Sequence, residues 1–302
     1  VSREAPVLIL KHRETRVVPG GGANATNNLA ALGAKVFPIG AVGSDAAGEA
    51  LREYFRKAEV DISGVITAKE WATPTKTRFL AGWAHTTAQQ VLRVDREPKE
   101  APSEKLREQL SARLVAKLKS ADALAVSDYG FGSATPENVK TALRVARKKI
   151  PATLDARYGL TRYAGCGITS ATPNEAELES VHHTVIGKNT AELERCGRET
   201  LAAMKMESLL VTRGRDGMAL FEKKGAGATQ IPVHGSDQAV DVTGAGDTVL
   251  AAYTLALASG ASALEAAHIA NFAGGLVVMK RGTATVSRAE LLDAIRRESS
   301  GS

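Results

Sequence analysis

The chain has 302 residues, too many for a minimal module and suited to one large α/β domain. Hydrophobic residues at 44% and charged residues at 24% fit a globular protein, and aromatics at only 4% argue against an aromatic-lined nucleic-acid surface. The net charge of +6 is compatible with nucleic acid, an acidic surface or a phosphorylated substrate, and the charges do not cluster enough to choose; the run at 144–149 reads as a solvated helix end rather than a nucleic-acid patch. No apolar run reaches the roughly 18 residues of a membrane span. Cys166 and Cys196 lack metal or disulfide spacing. A cytoplasmic protein with reduced thiols, and with neither nucleic acid nor membrane as partner, is expected.

In chain order, residues 6–10 and 16–18 read as strands, and residues 23–32 as a helix closed by Gly33. Residues 75–80 and 89–94 read as a second strand pair, joined by a polar turn through His85, Thr86 and Thr87. These pairs predict a small β-lid from about 5–18 and 74–96 over a site at the carboxyl ends of the main strands. Trp71 and Trp83 are expected to pack at its flanks.

A strand at 123–126 ends in Ser127-Asp128-Tyr129-Gly130, and a helix follows over 135–149 with Thr135 as N-cap and Pro136 in its first turn. Strands at 152–155 and 167–172, helices at 173–179 and 190–204, and strands at 208–212 and 218–221 come next. This alternation predicts a mainly parallel sheet covered by helices. One domain is expected over 1–298, with a frayed tail at 299–302. Met204 and Met206 read as core, and His182-His183 as a solvated loop.

The strongest chemical signal is Asp241-Val-Thr-Gly-Ala-Gly-Asp247-Thr248, followed by an apolar helix over 249–258. Gly244, Ala245 and Gly246 leave the backbone open at a helix N-terminus, where N–H groups and the dipole favour an anion such as phosphate. An acid at the end of such a cradle makes sense if Asp247 takes a proton from a hydroxyl attacking phosphorus. The plain alternative is a glycine-rich turn with an N-terminal acid. No Gly-Lys-Ser/Thr follows, so the turn is not a Walker loop. The second signal is Gly20-Gly21-Gly22-Ala23-Asn24-Ala25-Thr26, where glycines permit close approach of a ligand and Asn24 can pair with sugar hydroxyls. A hinge between lid and core explains it equally well.

Together the two segments resemble the two signatures of the PfkB (ribokinase-like) carbohydrate kinases, down to the spacing of Asn24, Thr26, Gly33 and Gly43 and the run from Asp241 to Thr254. The resemblance implies a three-layer α/β/α sandwich with a β-sheet lid, and ATP with Mg2+ as cofactors. It also implies Asp247 as base beside the backbone of Gly244, Ala245 and Gly246, and Gly20, Gly21 and Asn24 at the sugar. Asn174 and Glu177 resemble the family's motif near magnesium and phosphate, with Glu177 acting through water. Thr212, Gly214 and Gly217 resemble its nucleotide strand and turn, and Asn271 its adenine wall. Asp241 and Thr243 stand where relatives bind a monovalent cation such as K+.

Within the family, the lid segments at 74–78 and 89–97 are similar to heptose-7-phosphate kinases of ADP-heptose synthesis, as are 126–129, 172–175 and 280–287. The resemblance therefore implies a phosphorylated sugar met by Lys76, Arg78 and Arg93, and a homodimer through the lid. Asp155-Ala156-Arg157 departs from the usual Asp-Pro-Lys of that branch and replaces a point charge by a planar fork at the nucleotide side. Family members open with an apolar strand carrying an acid that holds sugar hydroxyls. That strand is absent from these residues, and an upstream segment supplying it is expected. Two rivals stand beside this reading. One is a kinase of the same fold for fructose, ribose or a nucleoside, and the other is a sugar- or nucleotide-binding protein without turnover.

Overall fold

The computed structural model describes residues 7, 9–82, 88–146, 149–225, 227–235 and 239–301. Ten strands, nine α-helices and three short 3-10 helices are defined among them. The centre is a six-stranded sheet in the order β10-β9-β8-β7-β6-β5. Its strands are β5 (Leu124–Asp128), β6 (Ala152–Ala156), β7 (Ser170–Ala171), β8 (Ser208–Thr212), β9 (Met218–Glu222) and β10 (Thr229–Ile231). β5 through β8 pair in parallel, while β9 and β10 run antiparallel to their neighbours. A parallel pair, β1 (Gly40–Gly43) and β2 (Val65–Ala68), forms a separate small sheet.

Alternation along the strands builds the layers. Leu209 and Val211 of β8, with Ala219 and Phe221 of β9, join one core beneath α5 (Glu175–His182) and α6 (Thr190–Met204). Leu210, Met218 and Leu220 from the same strands join the opposite core under α7 (Ala245–Ala258) and α8 (Ala263–Val277). Successive side chains of a strand point to opposite faces, so two strands serve both cores. α1 (Gly22–Ala31) lends Leu29 to the second core, and α9 (Arg288–Gly301) lends Leu291. The molecule is thus a three-layer α/β/α sandwich. Met204, Met206, Cys166 and Cys196 are buried. Among the described residues, no helix is long and apolar enough to cross a membrane.

The lid is a hairpin of β3 (Thr75–Ala81) and β4 (Gln89–Arg96), paired antiparallel with an irregularity at Phe79/Leu80. Its root is pinned at the end of β1. Asp45 caps α2 (Ala46–Lys57) through Gly48 N and accepts from Thr73 Oγ1 at 2.6 Å, and Thr73 in turn accepts from Gly43 N at 2.8 Å. A side chain at Gly43 would meet the Trp71 carbonyl, which explains the glycine. Trp71 packs with Ile66, Leu106 and Leu110, the last two from α3 (Glu104–Leu118). Trp83 and the turn at 85–87 lie outside the described residues.

Several expectations need correction. Among the described residues the first lid pair does not form: residues 9–18 carry no strand, and Ile9, Val17 and Val18 stand more than half exposed, while residues 6 and 8 of that expectation lie outside the described set. Short apolar runs invited the reading, but a strand needs a partner, and residues 9–18 have no backbone hydrogen bond to one among the described residues. The helix expected to reach 149 is α4 (Pro136–Arg144), which ends early because the chain must extend into Pro151 and β6. Residues 147–148 of that expectation lie outside the described set. The strand at 167–172 shrinks to β7, since Gly167 takes φ +91°. Pro173 stays outside α5, its carbonyl accepting from Thr212 N. α9 continues to Gly301 through most of the expected frayed tail, and Ser302 lies outside the described residues. His182 is no solvated loop residue: Nε2 meets Thr200 Oγ1 at 2.8 Å and Nδ1 lies 3.4 Å from Glu199, joining α5 to α6.

Packing of α6 on the sheet yields a test. A Cβ on Gly197 would sit inside the Phe221 ring, which is fully buried. Gly197→Ala should therefore destabilise the fold by about 1–3 kcal/mol, although alanine favours helices. Urea unfolding would check it, and unchanged stability would contradict this packing.

Candidate active site

The two glycine-rich segments meet at the N-terminus of α7. Gly244 adopts a left-handed φ of +80° as the residue before the helix, and a Cβ there would collide with Asn24 Nδ2. Asn24 Nδ2 donates to Asp247 Oδ2 at 2.9 Å and to the Gly244 carbonyl at 3.3 Å. Asn28 Nδ2 donates to both the carbonyl and the side-chain oxygen of Asn24, and Thr248 Oγ1 donates to Asn28 Oδ1. This polar seam locks α1 to α7.

The seam corrects one expectation. Asn24 is fully buried, both amide hydrogens have protein acceptors, and its oxygen already accepts a bond. It does not offer its amide to a ligand; it orients Asp247. Gly20 is exposed and Gly21 half-exposed, the latter at φ +56° with the Tyr129 ring 3.4 Å from where a Cβ would stand.

Asp247 is 2% exposed. Burial pushes its carboxyl up to about 6, against the pull of bonds from Asn24 and Tyr129. Tyr129 Oη lies 3.2 Å from both carboxylate oxygens. The buried Ser127 hydroxyl lies beside the same acid and helps to lower its pKa, although it makes no well-formed hydrogen bond among the described residues. The N–H groups of Gly246 and Asp247 find no acceptor among the described residues, as expected of a first helical turn. Gly246 is exposed, so these donors face open space.

On the phosphate side, Asp155 has its carboxyl raised well above the usual range by desolvation, with Glu177 and Asp247 adding like charge and Arg157 opposing. Asp155 is a residue that sequence reasoning passed over as a site group; its place at the carboxyl end of β6 was the available signal. Asn174 and Glu177 form a reciprocal cap on α5 at 2.8 and 3.0 Å. Burial raises the Glu177 carboxyl. Asn174 also bridges to Thr212 at the end of β8.

The remaining nucleotide-side candidates have structural duties. Gly214 takes φ +55°, and a Cβ on Gly217 would strike the Ile231 carbonyl. Asn271 Nδ2 donates to the Pro232 carbonyl at 2.7 Å, tying α8 to the segment after β10. Asp241 accepts from Thr243 N and Gly282 N, both at 2.9 Å, which caps the turn before the cradle. Burial opposes the ionisation of Asp241, but these bonds and the charge of Arg78 bring its carboxyl below the usual range.

Lid cations face this region. Lys76 pairs with Asp95 at 3.1 Å, and Arg93 pairs with it at 2.7 Å. Arg78 donates to the Lys76 carbonyl at 3.5 Å and stands directly opposite Arg93 in the hairpin. Arg93 also feels the charge of Arg157.

Ionisation of Asp247 works against folding. Its folded value of about 6 exceeds the ordinary 3.8, so the folded protein binds the proton more tightly. The stability conferred by the protonated form is full below pH 3.8 and is lost as pH rises through about 6. Asp247→Asn should therefore raise stability at pH 8 by up to about 3 kcal/mol, with the gain disappearing near pH 4. Thermal unfolding across pH would check this, and a variant less stable than the parent at pH 8 would contradict it.

Residues 1–290 match the pfkB family carbohydrate kinases. The bifunctional protein HldE of Geobacter metallireducens is 38% identical over 297 residues, covering 98% of this chain and 59% of that protein. The bifunctional protein HldE of Desulfatibacillum aliphaticivorans is 37% identical, covering 96% and 58%. The chain thus spans less than two thirds of these relatives. Escherichia coli phosphofructokinase-2 in complex with potassium aligns at a TM-score of 0.74 and 21% identity, over 92% of this chain and 87% of that one. Arabidopsis thaliana ribokinase complexed with ribose and ATP aligns at 0.71 and 20%, over 91% and 86%. The fold is ribokinase-like, and the chain belongs to the pfkB family of carbohydrate kinases.

Proposed function

We propose that the chain transfers the γ-phosphoryl group of ATP to a hydroxyl of a sugar phosphate, with Asp247 as general base. The observation that carries this is a buried carboxylate set directly after the open glycine turn at the N-terminus of α7. With a value near 6, Asp247 is ionised at neutral pH yet more basic than an ordinary aspartate. It takes the proton of the acceptor hydroxyl as that oxygen bonds to the γ-phosphorus. The bond from phosphorus to the β–γ bridging oxygen breaks, and ADP leaves. The backbone of Gly244, Ala245 and Gly246 supports charge on the transferred group at the positive end of the helix.

Magnesium fits this site as a phosphate-held ion. Among the described residues, no three His, Cys, Asp or Glu side chains converge to hold a metal, and magnesium needs few protein ligands when phosphates and waters supply the rest. Glu177 would hold it through water, and when bound it would neutralise phosphate oxygens. Asp241, already capped by two N–H groups, fits a turn-forming role without K+.

Support for a phosphorylated acceptor comes from the lid. Arg78 and Arg93 are cross-strand partners, and Asp95 already pairs with Arg93, so a substrate phosphate would join this cluster chiefly through Arg78. Arg157 adds a third cation nearby. Heptose 7-phosphate is the acceptor that the lid resemblance favours. An acceptor panel with ADP readout should place it more than tenfold above fructose, ribose and nucleosides in kcat/KM, or about 1.4 kcal/mol. Asp247→Asn should lose about 10²–10⁴ in kcat with ATP affinity changed only a few-fold. Preference for a neutral sugar would overturn the acceptor, and an active Asn variant would overturn the base.

A homodimer through the lid belongs to the same reading, because Leu80, Leu92 and Val94 stand half or more exposed on the hairpin. Sedimentation should give a dimer that Leu92→Asp converts to monomer. A monomeric parent chain would rule it out.

A further inference from the structure

We infer that Tyr129 is the positioning residue of Asp247 and a placeholder for the acceptor hydroxyl, an assignment that rests on Asp247 being the base. Asn24 holds Oδ2 of the carboxylate, and the Tyr129 hydroxyl straddles both oxygens at 3.2 Å, with the Ser127 hydroxyl beside them. An acceptor hydroxyl that gives its proton to Asp247 must approach a carboxylate oxygen, and the Tyr129 hydroxyl stands at the one that Asn24 leaves open. The phenol therefore fills that edge in the free protein and yields one oxygen when the acceptor arrives.

The turn that carries Tyr129 is built to hold it there. Asp128 is buried and accepts from Tyr163 Oη and Gly130 N, both at 2.8 Å. Its carbonyl accepts from Arg157 N at 2.9 Å. The Tyr129 ring lies against Gly21, whose φ of +56° favours glycine at that contact. Beside it, the Ser127 hydroxyl offers a second contact to an incoming hydroxyl.

The titratable groups around Asp247 are Tyr129 after β5 and Asp155 on β6, with Glu177 and Arg157 acting on Asp155. Tyr129 is the one that donates a hydrogen bond to the carboxylate. Removing such a donor from an ionised acid raises its pKa.

The test is Tyr129→Phe, which keeps the ring on Gly21. The acid limb of kcat against pH should move up from near 6 by about one unit. The high-pH plateau should recover to within severalfold, with KM for ATP unchanged. A uniform loss at every pH with the limb unmoved, or parental behaviour throughout, would overturn the assignment. Asp247→Asn measured alongside separates the two claims. If it stays active, the base reading fails and Tyr129 falls with it. If it is inactive and the Tyr129→Phe limb does not move, only the Tyr129 assignment falls.

Discussion

The hydrogen bond from Asn24 to Asp247, across 223 residues of chain, is the contact on which the rest of the site depends. α7 is apolar nearly all round and lies buried between the sheet and α8. Apolar packing is non-directional, so it fixes the depth of such a helix better than its rotation. Polar contacts supply the rotation. Asp247 meets Asn24, Thr248 meets Asn28, Thr254 meets Thr153 at 2.5 Å, and Tyr253 meets Ser208 at 2.9 Å. Each is buried, so misrotation would leave a donor or acceptor unsatisfied.

That registry decides where charge collects. Asp155, Glu177 and Asp247 bring three carboxyls to the carboxyl ends of the strands, and desolvation raises all three. Arg157 opposes the rise at Asp155 and Glu177, while Arg78 from the lid lowers the neighbouring Asp241. Carboxyls beneath and arginines above suit a ligand that brings phosphates together with a cation.

Much of the core was legible because strand–helix alternation survives in single residues: α6 and β8 fall where the periodicity places them. Glycine spacing was legible for a different reason. Gly43, Gly217 and Gly244 stand where a Cβ would collide with backbone or with Asn24, so their absence of side chain is a local constraint. Asn24 was misread because a sequence does not show which way an amide faces, and here it turns inward. Tyr129 and Asp155 went unassigned because only the assembled sheet brings β5 and β6 beside α7. The strand expected at 16–18 failed because β-branched residues show a propensity, and a ladder also needs an edge to join. α2 and α3 were missed as elements, their charged, solvent-facing sides hiding the apolar positions that pack inward.

Stability and reactivity at Asp247 spring from one cause. Desolvation makes the ionised acid costly to bury and, by the same free energy, a stronger base. More donors around it would make it a weaker base, while fewer would leave it protonated at neutral pH. One firm bond from Asn24 and one shared across both oxygens by Tyr129 hold it between these limits, at about 6. The firm bond lies inside the helix seam, where a ligand cannot reach it. The shared one lies at the edge from which a hydroxyl must come, so the donor that an acceptor can displace is the weaker of the two.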